Sequence, residues 1–141
     1  MEADKKKGAV YDMYSDLADI CNGLAALHRP EEALDLIRKT TREIPPTRTE
    51  EKMNFNEALG TCYSSLQQYG KAQLYFEEMI RLFEIQQATT NMPYKLTVHY
   101  YRTICEFYIR TKEFQRARFY IGKLNNIHPG IIHPLIFSGI G

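Results

Sequence analysis

The sequence has no tryptophan and no apolar run long enough to span a bilayer. Its N-terminus lacks the apolar stretch of a signal peptide, although a processed or excised chain would have lost one, so the compartment stays open. An excess of one charge is missing too: 18 basic against 17 acidic side chains give a formal net charge of +1. That balance supplies no basic stripe for nucleic acid and no patch for a charged membrane surface. The one basic run, Lys5-Lys6-Lys7, reads as a solvated tail. Cys21, Cys62 and Cys105 are an odd number of thiols, 41 and 43 residues apart. This is neither a disulfide framework nor a metal pattern, and all three are expected to be unbridged.

Catalytic signatures are also lacking. His28, His99, His128 and His133 are scattered, and no pair has the i, i+4 spacing of a helical zinc site. There is no glycine-rich phosphate loop and no serine elbow. Glu31-Glu32 and Glu77-Glu78 are sequence neighbours, which point to different faces of a helix and make no proton-transfer couple. The expectation is therefore no enzyme, no cofactor and no metal, with an enzyme or metal protein on a helical scaffold as the rival class.

What the chain does contain is a repeat. At 141 residues and 44% hydrophobic content it is one domain with a continuous core. Ala33, Ala72 and Ala117 fall into one register. Thirteen residues before them stand Ile20, Leu59 and Ile104, followed by the small residues Cys21, Gly60 and Cys105. Three further on come Leu24, Tyr63 and Tyr108; four after each alanine come Ile37, Phe76 and Ile121. Large residues at i, i+3, i+4 and i+7 make an apolar helix stripe, and a small residue within it admits a neighbouring backbone. Pro45 and Pro129 close two of the copies, since proline cannot continue a helix. The pattern predicts six helices, over about 9–27, 30–44, 48–66, 70–88, 94–111 and 113–126.

Residues 56–76, NEALGTCYSSLQQYGKAQLYF, resemble the tetratricopeptide repeat family. They carry its L-G-x2-Y and A-x3-F elements, with Asn56 where tryptophan is usual. The other copies place cysteine at the glycine. Alanine spacings of 39 and 45 exceed the family's period of about 34. The likeness implies an all-α fold, a right-handed superhelix of about three antiparallel helix pairs. Its repeats fall near 14–47, 53–90 and 98–131, after a tail at 1–8 and before an apolar segment at 130–141. That last segment is expected either to cap the array or to begin a further repeat. Long helices of this kind resemble the elongated arrays of bacterial signalling proteins.

The resemblance also implies a role. First helices of successive repeats line a groove in this family, which here assigns it Asn22 from the first copy, Asn54, Glu57 and Thr61 from the second, and His99, Arg102, Glu106 and Arg110 from the third. The expected partner is a protein or peptide, with no nucleic acid and no membrane. Arg102 and Arg110 share a helix face and favour an acidic or carboxylate-bearing segment; Glu57 is the expected counter-charge for Arg102, and Glu106 an alternative one. Ala18 stands where carboxylate-clamp relatives use lysine, so a full clamp is not expected. Self-association into a homo-oligomeric scaffold, and a ligand-binding sensor region of a histidine kinase or transcriptional regulator, are the alternatives.

Overall fold

The computed structural model describes the backbone of residues 2–127 and the side chains of residues 9–127 other than Tyr11. The described chain is all-helical: α1 (Glu2–Ala26), α2 (Pro30–Glu43), α3 (Thr49–Ser65), α4 (Tyr69–Thr89), α5 (Tyr94–Arg110) and α6 (Phe114–Ile127). Every boundary but one falls within one residue of its sequence expectation. The exception is the start of α1 at Glu2, inside the expected tail; the stretch holds Glu2, Ala3 and three lysines, which favour helix. The segment 130–141 lies outside the described residues.

The helices are joined in pairs by one turn used three times. Each first helix ends in a Schellman motif. The Arg29 N–H bonds to Leu24 O at 2.8 Å, Gln68 to Tyr63 at 2.9 Å and Glu113 to Tyr108 at 2.8 Å. The residue before each donor, His28, Gln67 and Lys112, bonds to Ala25, Ser64 and Ile109. These three adopt left-handed φ values of 60°, 60° and 63°. Pro30 then starts α2 at a position where its missing N–H costs nothing.

The register seen in the sequence recurs as a contact. Ala33, Ala72 and Ala117 are each fully buried. The Cys21 thiol faces Ala33 O at 3.9 Å, and the Cys105 thiol faces Ala117 O at 3.6 Å. In the middle pair the cysteine is Gly60, and a Cβ there would lie 2.8 Å from the Phe76 ring. The contacts pair residues before the turn with residues after it, so each pair is an antiparallel hairpin.

Contacts divide the chain into two compact units, Met1–Gln86 and Gln87–Gly141. In the first, α1 packs on α2 and α3, and α2 on α3. Tyr14, Leu17, Ala18 and Cys21 of α1, Ala33, Leu34 and Ile37 of α2, and Ala58, Leu59 and Cys62 of α3 form one buried cluster. In the second, α5 packs on α6; Ile104, Cys105, Tyr108, Ala117, Ile121 and Leu124 are buried. The register breaks at one point. Ile20 is 50% exposed, whereas its equivalents Leu59 and Ile104 are 8% and 0% exposed.

A second device fastens the α2–α3 connection. Pro45 and Pro46 end α2, and α3 opens on Arg48, whose side chain supplies no capping oxygen. Glu51 reaches back instead, accepting from the Thr47 N–H at 3.0 Å and the Arg48 N–H at 3.3 Å. The Tyr14 hydroxyl donates to the Ile44 carbonyl at 2.5 Å, tying the end of α2 to α1. Burial, and then the nearby charge of Glu51, push the Tyr14 phenol up to about 12.

Candidate functional site

The eight groove residues fall into two groups with opposite surroundings. In the first unit, Asn54, Glu57 and Thr61 follow i, i+3, i+7 spacing and share one side of α3. That side is largely enclosed: Asn54 is 6% and Glu57 2% exposed, and Thr61 is half-buried. Asn22 of α1 is half-buried too, and its amide donates to the Glu57 carboxylate at 3.5 Å. The structure thus brings Asn22 and Glu57 together, and Glu57 has a partner within its own unit. A buried carboxylate requires such partners, since desolvating it alone is costly.

In the second unit, His99, Arg102, Glu106 and Arg110 follow i, i+3, i+7, i+11 spacing on α5, and all four are exposed. Their backs, Tyr100, Tyr101, Ile104, Cys105, Phe107 and Tyr108, are buried. The apolar stripe therefore fixes the orientation of α5, and the polar quartet is the face left over. It presents two guanidinium groups with a carboxylate between them.

Two arrangements escaped the sequence reading. The first is a cation-capped tyrosine stack in the second and third hairpins. Lys71 lies 5.3 Å over the Tyr63 ring, which stacks on Tyr75 at 5.6 Å. Arg116 lies 5.6 Å over Tyr108, which stacks on Tyr120 at 6.1 Å. Both trios occupy the same register positions; the first hairpin has Leu24, Glu32 and Leu36 there. The signal in the sequence was a tyrosine three residues after the slot alanine in two copies. The second is the buried pair Cys21 and Cys62, which share the core cluster of α1 and α3. The neighbouring Cys21 thiol, and then burial, push the Cys62 thiol up. Burial, and then the charge of Glu106, push Cys105 up to about 11. All three cysteines are free thiols.

Among the described residues, no group of three or more His, Cys, Asp or Glu side chains is placed to hold a metal ion. Nor is any described helix long and apolar enough to cross a membrane. A surface hollow of about 410 Å³ lies over Gln87–Met92. Its walls include Ala88, Thr89, Thr90 and Asn91, and among the described residues no titratable side chain lines it.

No protein-family model, curated protein or solved structure matches the chain.

Proposed function

We propose that the chain is a non-catalytic protein-interaction module of the tetratricopeptide type. In this reading its hairpins stack as a right-handed superhelix and bind a peptide segment or partner protein along the face of the first helices. The observation that carries the reading is the hairpin itself, built three times with the same Schellman turn and the same buried slot alanine. Repeated hairpins that each leave one face unburied are the units of solenoids, whose extended surfaces serve binding.

Within that reading the exposed quartet of α5 carries the recognition. Arg102 and Arg110, eight residues apart, lie about 12 Å apart along the helix axis. They suit a segment bearing carboxylates, because guanidinium groups pair with these through charge-assisted bonds. Asn22 and Glu57, already bonded to one another, shape the α1–α3 side instead of supplying free charge.

The test uses a panel of acidic peptides with free C-terminal carboxylates, titrated against the full chain by fluorescence anisotropy at two salt concentrations. Peptides that bind the wild type are expected to lose affinity and salt dependence when Arg102→Ala and Arg110→Ala are combined, with helicity unchanged by circular dichroism. Binding that survives the double change with the same salt dependence, or a panel that never binds, removes the reading.

A further inference from the structure

The first unit shows which face of a hairpin receives the one before it. In the first unit, α3 sits on α1 and α2. Ala58, Leu59 and Cys62 are buried in the cluster shared with those helices, and Phe55 packs against it half-buried. The same register positions on α1 are Asp16, Asp19, Ile20 and Gly23. All four are exposed, and a Cβ built on Gly23 would meet no atom within 4 Å. The face that holds the second hairpin in place is therefore open on the first. It bears an apolar centre, Ile20 at 50% and Leu27 at 64% exposure, flanked by aspartates. From Ala9 to Ala26 the helix has three aspartates and no lysine or arginine.

The complementary face of a hairpin is legible in the same way. Ala18 of α1 and Leu34 of α2 belong to the cluster that α3 covers. Their equivalents in the third hairpin are Arg102 and Arg118, both exposed. Helix α6 holds Arg116, Arg118 and Lys123 and no acidic residue. The second hairpin has Glu57 and Gln73 at these two positions and offers no such charge.

We propose that copies of this chain associate head to tail. The α5–α6 hairpin of one copy seats on the open face of α1 in the next, with Arg102 and Arg118 against Asp16 and Asp19. Opposite charge on two surfaces whose register positions match those of the junction between α3 and the α1–α2 hairpin selects this pairing over like with like. The contact is heterologous, so association grows with concentration without a fixed stoichiometry unless the rotation closes a ring. This goes beyond the peptide-binding reading and does not rest on it: a strictly monomeric chain leaves that reading untouched. The competing account of the aspartates is a polar end-cap that keeps the chain single.

Sedimentation velocity of the full chain separates the two. The wild type is expected to show a weight-average sedimentation coefficient that rises with concentration and falls with added salt. Asp16→Lys with Asp19→Lys, and separately Arg102→Glu with Arg118→Glu, each weaken association by roughly tenfold or more. An equimolar mixture of the two variants restores it, because each reversed face then meets its opposite. Circular dichroism checks that the variants fold; if either reversal unfolds, the milder Asp19→Asn and Arg102→Gln should each still weaken association and lower its salt dependence, and no change in either would overturn the proposal. A wild type that stays monomeric, an association indifferent to the reversals, or a mixture that fails to recover overturns the proposal.

Discussion

Two glycines on neighbouring helices have opposite reasons to be there. At Gly60 an added Cβ meets three carbons of the Phe76 ring at 2.8–2.9 Å, and that ring is itself buried. Gly60→Ala must displace the ring or part α3 from α4, at a cost of about 1–3 kcal/mol. At Gly23 the same methyl meets nothing, and alanine in a helix interior gains roughly 0.5–1 kcal/mol over glycine. Urea midpoints should therefore move down for the first variant and up for the second; equal shifts would contradict the packing. Tyr14 supplies a pH signature. Its folded pKa, about 12, lies above the unfolded phenol value near 10, so the fold favours the neutral form. Its contribution is complete below about pH 10 and is lost as pH rises through about 12. Tyr14→Phe should remove this part of the alkaline decline. It should also cost about 0.5–1.5 kcal/mol at neutral pH through the lost bond to Ile44. Alkaline titration of unfolding stability for both proteins measures the difference.

At the scale of the helix, the ends were readable where proline or a small residue marks them, as at Pro30, Pro45 and Pro93. The turn between paired helices was not. A left-handed C′ residue is usually glycine, and here it is His28, Gln67 and Lys112, so composition gives no sign of the conformation. A left-handed residue with a Cβ costs about 1–2 kcal/mol, and glycine escapes that cost while losing some unfolded-state entropy. Gln67→Gly should raise thermal stability by up to about 1 kcal/mol, and Gln67→Val should lower it by at least as much. Melting curves that reverse this order would mean that the turn is not held as described. The groove shows a related limit. Spacing correctly places Asn54, Glu57 and Thr61 on one side of α3, and His99, Arg102, Glu106 and Arg110 on one side of α5. It cannot say what lies opposite a face, and so cannot tell that the α3 side is enclosed and the α5 side exposed. Ile20 fails for the same reason: its register matches Leu59, but no described element covers it.

For the whole molecule, the internal repeat was legible in the sequence alone, because three slot alanines in one register require three similar hairpins. The division near Gln86 was not, since the apolar stripe of α4 continues through Ile80 and Phe83 towards it without a break. One detail of the packing now becomes a clock. Each first helix carries one sealed thiol: Cys21 and Cys62 lie in a common core, and Cys105 lies in the other unit. A thiol with no accessible surface reacts only when its surroundings open, so its alkylation rate records how often they do. Under slow labelling with iodoacetamide, followed by peptide mass spectrometry, Cys21 and Cys62 should be modified at one shared rate and Cys105 at its own. Distinct rates for Cys21 and Cys62 would show that α1 can leave α3 by itself. Without any added probe, the chain therefore carries a timer for the breathing of each of its cores.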